Sequence, residues 1–193
     1  MSRSGYLTAA ALGGAGVAVY VAVVRGALTL DLGIGRSVRR LGPLSWSIAA
    51  PRDLVFEVIS APYLGRTPRA LEPKLRVLER GHDMVLAEHY TPVGPFVATT
   101  LETVRFEPPE RVHFRLARGP VPSVVEEFRL REVDGGTELE YRGELATDLW
   151  LLGRLWGAAV ARAWEATVRT SLDAIATEAG RRAAARSSAQ RTT

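Results

Sequence analysis

The stretch from Leu149 to Arg182 has a helical period and no proline, and it constrains the fold more than any other part of the chain. Leu152, Trp156, Val160, Trp164, Val168, Leu172, Ile175 and Ala179 recur at spacings of three and four, which sets them on one slanting stripe of an α-helix. Arg162, Glu165, Arg169 and Asp173 form the opposite stripe, with two acid–arginine pairs at the i,i+4 spacing. Asp148 is placed to act as N-cap, and Gly180 followed by Arg181 and Arg182 reads as the stop. A helix this long with one apolar face needs a broad apolar surface to cover it, and a curved sheet supplies one.

The residues before it read as the parts of such a sheet. Leu44–Ala49 predicts a short strand, and Pro51 opens a helix through Ser60 whose inner face carries Phe56 and Ile59. Six further strands follow: LRVLER, MVLAEHY, FVATTLETVRF, RVHFRLA, SVVEEFRLREV and TELEYRGEL. The turns between them are marked by Gly81-His82-Asp83, Pro92-Val93-Gly94-Pro95, Pro108-Pro109, Gly119-Pro120-Val121-Pro122 and Asp134-Gly135-Gly136. About seven antiparallel strands with helices on one face give an α+β domain.

This order resembles the helix-grip fold of the START-like (SRPBCC) superfamily, the polyketide cyclase/dehydrase and lipid-transport group. Ile48-Ala49-Ala50-Pro51 running into Val55, Phe56 and Ile59 resembles its opening strand and helix. Phe106-Glu107-Pro108-Pro109-Glu110-Arg111-Val112 resembles its mid-sheet bend, and Gly136-Thr137 its last hairpin. Leu152-Gly153-Arg154-Leu155, with Ser171-Leu172 further on, resembles its closing helix. The likeness spans residues 44–180 and implies a cavity between sheet and helix. It implies no single activity, because such proteins include ligand carriers, cyclases and members of unknown role.

Charge divides the chain into zones. Residues 25–40 carry a net +3, residues 181–193 a net +4 and Arg3 one more, so the overall +4 leaves residues 41–180 at a net −4. A nucleic-acid binder needs the reverse, a basic stripe on the folded surface, so no nucleic-acid partner is expected. Ser4 to Val24 holds no charge and is long enough to span a bilayer core as a helix. Residues 5–24 are therefore expected to be a transmembrane helix, with a cleaved signal peptide and a buried or unstructured segment as the alternative readings. One arginine precedes the span and four follow closely, which puts the C-terminal domain of a single-pass cell-membrane protein in the cytoplasm. Residues 25–42 read as a basic juxtamembrane linker whose Arg36, Arg39 and Arg40 face anionic head groups, residues 43–180 as the domain, and residues 181–193 as a disordered basic tail.

The candidate site follows from alternation. Val112, Phe114 and Leu116 share one parity; Val124, Phe128 and Leu130 share theirs with Glu126; Leu139, Tyr141 and Leu145 point together. Phe114, Leu116, Glu126, Phe128, Tyr141, Trp164 and Val168 are thus the expected ligand contacts, with Glu126 and Tyr141 the candidates for acid–base chemistry. Glu126 has a plainer reading, a strand-end carboxylate reaching water or an arginine, and Tyr141 that of a core residue with a satisfied hydroxyl. His82 sits in a turn, His113 falls on the outer parity, and His89 is unassigned because MVLAEHY does not alternate cleanly. No histidine has metal-ligand spacing, the chain has no cysteine, and Gly33-Ile34-Gly35-Arg36 lacks the third glycine of a dinucleotide fingerprint, so neither metal nor cofactor is expected. The apolar run LWLLGRLWGAAVARAW either touches a bilayer or closes the cavity mouth.

Three functions stay open on these grounds: membrane-anchored binding of a hydrophobic small molecule or lipid, a cyclase or dehydratase using the same cavity, and a non-catalytic membrane protein whose cavity its own side chains fill.

Overall fold

The structure is a computed structural model, and it describes residues 16–93 and 96–190. Helical residues 16–24 (α1) lead into an extended strap over residues 27–36. Strand β1 (Ser37–Ile48) and helix α2 (Arg52–Leu64) follow, then β2 (Leu75–Arg80), β3 (Met84–Val93), β4 (Phe96–Glu107) and β5 (Arg111–Arg118). The chain closes with β6 (Ser123–Val133), β7 (Gly136–Thr147) and α3 (Trp150–Gln190). The sheet order is β1-β7-β6-β5-β4-β3-β2, with every neighbouring pair antiparallel. Only β1 leaves the meander, pairing with β7, and α3 packs against β1, β7 and α2. This is the helix-grip arrangement expected from the sequence.

Alternation places the core. Val112, Phe114 and Leu116 on β5, Val124, Phe128 and Leu130 on β6, and Leu139, Tyr141 and Leu145 on β7 are all buried against α2 and α3. From α3 the buried residues are Val160, Ala161, Val168, Leu172 and Ala179, with Trp156, Trp164 and Ile175 half-buried beside them. Leu152 departs from the expected stripe: it lies one turn too early to face the sheet and is exposed.

Several boundaries differ from the sequence reading. β1 begins at Ser37, not Leu44, and its first residues pair with Thr147 to Gly143. The reason it was hidden is local: the register shifts between Leu41 and Leu44, so alternation across the strand is broken. Gly42 sits there at φ 73, where a Cβ would meet the Tyr141 carbonyl oxygen at 2.9 Å. The stretch taken as a linker is therefore strand from Ser37 onward. At the other end α3 does not stop at Gly180 but runs to Gln190, with Arg182 and Arg186 paired to Glu57 on α2 at 3.3 and 3.1 Å. The residues expected to form a disordered tail are helical as far as the structure describes them.

The acidic stripe of α3 also has another use. Glu165 accepts the Gly42 backbone N–H at 3.0 Å, and Asp173 accepts the Trp46 indole N–H at 2.9 Å, so both fasten β1 to α3 in place of the expected pairs with Arg169. Asp148 does not cap α3, since its carboxylate turns to the strap instead.

Residues 5–15 of the expected transmembrane helix lie outside the described residues. Residues 16–24 lie against the domain: Val23 and Val24 are buried, and Tyr20 packs edge-on to Trp156 and Phe96 at 6.1 and 6.2 Å. Among the described residues no helix is long and apolar enough to cross a membrane.

Candidate functional site

Glu126 lies midway along β6, opposite Gly143 on β7 and Phe114 on β5. Its parity aims it inward, where it is buried among aromatic rings. Phe114 and Phe128 meet edge-on at 5.2 Å and Phe128 and Tyr141 at 5.8 Å, forming one wall. The Tyr141 hydroxyl and the Trp164 indole N–H both donate to the same Glu126 oxygen, Oε1, each at 2.6 Å. Oε2 accepts no hydrogen bond among the described residues.

Burial dominates this carboxyl. Desolvation, helped by the negative charge of Glu102, pushes its pKa up to about 8 against the pull of the two donors. Near neutral pH Glu126 is thus predominantly an uncharged acid. With Oε1 held by two donors, the proton belongs on Oε2, the oxygen left open. Burial and the neighbouring Glu126 raise Tyr141 far above its ordinary range, so its hydroxyl remains a donor. The reading of Glu126 as a strand-end carboxylate served by water or an arginine is corrected here. It faces a tyrosine and a tryptophan in the interior.

A second polar group lies further across the sheet. The Tyr63 hydroxyl and His89 Nε2 are 3.0 Å apart, His89 Nδ1 is 3.3 Å from Glu102 Oε2, and Thr100 donates to Glu102 Oε1 at 2.6 Å. Burial, then the charges of Glu102 and Glu126, raise Tyr63 as well. His89 therefore points inward. Its role and those of Tyr63, Thr100 and Glu102 escaped the sequence reading. One signal was present: Thr100, Glu102, Val104 and Phe106 share a parity in FVATTLETVRF, so the two apolar members place the polar pair inside. His82 is exposed in its turn, and His113 lies on the outer face within 3.5 and 3.7 Å of Glu107 and Glu127.

Of the expected contacts, Phe114, Leu116, Phe128, Tyr141 and Val168 are buried and Trp164 is half-buried beside Glu126. Trp156 lies eight residues nearer the start of α3 and donates its indole N–H to the Pro120 carbonyl at 2.8 Å. Around it opens a pocket of about 290 Å³, lined by α1, the strap, Pro120, Pro122 and the first turns of α3. This mouth pocket lies at the N-terminal end of α3, and none of Phe114, Glu126, Phe128, Tyr141 and Trp164 lines it.

Asp148 holds the mouth together. Its carboxylate accepts the backbone N–H groups of Leu32 and Gly33 at 2.7 and 2.9 Å and the Arg36 guanidinium at 2.8 Å. Chiefly the Arg36 bond lowers its pKa to about 2, with the two backbone bonds adding to the effect. Arg36 also pairs with Asp31, so it is tied into the strap and does not face head groups as expected. Leu149 and Trp150, at φ 71 and 48, occupy the left-handed region, and their N–H groups are held by Ile34 and Gly35 carbonyls at 2.9 and 3.0 Å. Two such residues in succession are strained, and the strap keeps them there.

An antiparallel sheet gripping a long helix, with a buried acid on the gripping face and an apolar pocket at one end, defines a helix-grip protein. The family model described as polyketide cyclase / dehydrase and lipid transport matches residues 44–180, and the chain belongs to that family. Among solved structures it is similar to the Zhui aromatase/cyclase of a Streptomyces species, at 19 % identity over 76 % of this chain and 96 % of that one, with a TM-score of 0.62. It is also similar to the di-domain ARO/CYC protein BexL, at 17 % identity over 77 % of this chain and 50 % of that one (TM-score 0.55). A third is the di-domain ARO/CYC protein StfQ of the steffimycin biosynthetic pathway, at 13 % identity over 79 % and 52 % (TM-score 0.52). At these identities the likeness is one of fold. The search of curated proteins finds no match.

Proposed function

We propose that the protein binds a hydrophobic small molecule or lipid between the sheet and α3, at a membrane, with the Glu126 acid as its one strong hydrogen-bond donor to the ligand. The observation that carries this reading is the carboxyl itself. An uncharged acid with one oxygen fixed and the other open, set in a wall of rings, suits an apolar molecule bearing a carbonyl or hydroxyl oxygen. A bound ligand anion would meet Glu102 and no compensating arginine in the buried core, so neutral ligands fit better. The uncharged run Ser4–Val24 and the arginines after it support residence at the cytoplasmic side of the cell membrane.

The test uses the full chain in mild detergent. Native mass spectrometry and solvent extraction are expected to find an apolar molecule bound. Long-chain alkanones and alkanols are expected to raise Tm at pH 6 and to lose that effect at pH 9.5, where Glu126 is ionised. No co-purified molecule, together with no shift by any probe at pH 6, sinks the proposal.

A second reading is favoured by the same acid. A group that is protonated near neutrality can donate to a carbonyl or a departing hydroxyl, as cyclisation and dehydration require. His89, backed by Glu102, is the candidate to take up the proton that such a reaction releases from carbon. Turnover of a poly-β-ketone substrate that vanishes in Glu126→Gln would favour this reading over simple binding.

A further inference from the structure

We propose that the end of the domain formed by α1, the strap and the first turns of α3 docks on an anionic lipid bilayer, so that the mouth pocket opens into the lipid. The ligand-binding reading above supplies what would pass through that pocket; the docking itself rests on the surface alone.

At this end the apolar side chains are on the outside. Trp150 is 64 % exposed, Leu151 59 %, Leu152 72 % and Leu155 62 %. Beside them, Leu30, Leu32 and Ile34 on the strap and Val19 and Tyr20 on α1 are exposed as well. These belong to one surface: Val19, Tyr20, Leu30, Leu32 and Leu152 line the same pocket, and the Trp150 ring lies directly on Gly35. A contiguous apolar face of this kind on a folded domain marks an interaction surface.

Charge identifies the partner. Residues 41–180 carry a net −4, yet at this end Asp31 and Asp148 share Arg36, a cluster of net −1 set beside three further arginines. Arg25, Arg154 and Arg162 are exposed and make no ion pair among the described residues. On α3, residues 151, 155 and 162 fall within about 40° of one another at 3.6 residues per turn, so Arg162 stands on the same face as the leucines. It lies about 10 Å further from the tip than Leu155, at 1.5 Å per residue. An apolar tip backed by arginines is the pattern of a surface that enters the acyl boundary and meets anionic head groups.

The course of the chain points the same way. Gly16, the first described residue, lines the mouth pocket, and the run before it, from Ser4, is uncharged. From Trp156 at the mouth to Trp164 beside Glu126 is eight residues of α3, about 12 Å.

The experiment reads tryptophan depth in the full chain reconstituted with vesicles of phosphatidylcholine and phosphatidylglycerol carrying brominated acyl chains. Docking predicts strong quenching that is largely lost in Trp150→Phe and unchanged in Trp46→Phe, whose ring lies on β1 beside Asp173. It also predicts that the double variant Leu151→Glu, Leu155→Glu, both exposed and therefore tolerated by the fold, loses the Trp150 quenching while keeping its Tm and its alkanone-induced shift in detergent. Quenching that does not depend on Trp150, or a stable dimer in detergent that Leu151→Glu, Leu155→Glu dissolves, overturns the docking. Quenching through Trp150 without any ligand in the cavity leaves docking standing and removes the binding reading instead.

Discussion

Trp164 on α3 and Tyr141 on β7 give their protons to one oxygen of Glu126, so a single carboxyl joins the long helix to the centre of the sheet. Glu165 and Asp173 fasten α3 to the edge strand β1, and Glu126 fastens it to the middle of the sheet. Its protonation state therefore bears on stability.

The pH dependence follows directly. Glu126 has a folded pKa raised to about 8 from an unfolded value near 4.5, so the folded state holds the proton more tightly than the unfolded one. Its stabilising contribution is complete below pH 4.5 and is lost as pH rises to 8, after which the curve flattens. Wild-type stability should fall by the order of a few kcal/mol across that window. Urea melts at half-unit pH steps should show this slope, and Glu126→Gln should remove most of it.

The two donors are separable. Trp164→Phe and Tyr141→Phe each remove a hydrogen bond to the ionised form and should move the Glu126 titration upward. Each should cost about 1–2 kcal/mol near pH 7. Because both act on one oxygen, the double variant should deviate from additivity, by about 0.5 kcal/mol or more. Additive costs and an unmoved titration, followed by carbon-13 NMR of labelled glutamate, would remove the shared-oxygen account.

Asp148→Asn should free the strap without unfolding the domain. Amide hydrogen exchange at Leu32 and Gly33, whose N–H groups the carboxylate accepts, should accelerate in the variant while Leu139 and Tyr141 on β7 stay protected. In the wild type the same amides should loosen in acid. The folded pKa is lowered to about 2 from 3.8, so the stabilisation is present above 3.8 and disappears as pH falls through 2.

Leu172 is fully buried where α3 crosses the sheet. Leu172→Ala should cost about 2–5 kcal/mol in chemical denaturation. Removing the surface pairs of Glu57 with Arg182 and Arg186, by Glu57→Gln, should cost less than about 1 kcal/mol. The contrast tests whether α3 is held to the domain by packing or by charge.

The strand count, the sheet's inner faces and the course of α3 were legible in the sequence because each is a matter of period. Glu126 and Tyr141 were found by the parity of their neighbours. His89 and Glu102 were not, because β3 mixes small and polar residues and β4 carries two adjacent threonines, Thr99 and Thr100, that blur its alternation. The strap was unreadable for another reason. Leu28, Leu30, Leu32 and Ile34 look like a lipid-facing linker, and only the three-dimensional position of Asp148, over a hundred residues away, turns them into a clasp. Gly180 gave a false stop since a helix packed on α2 tolerates a glycine that an isolated one would not.

The indole of Trp164 resting on an ionisable oxygen has a practical side. Emission from that ring is sensitive to whether its neighbour is neutral or charged, so with the other three tryptophans replaced the chain carries an unlabelled optical gauge of its own interior.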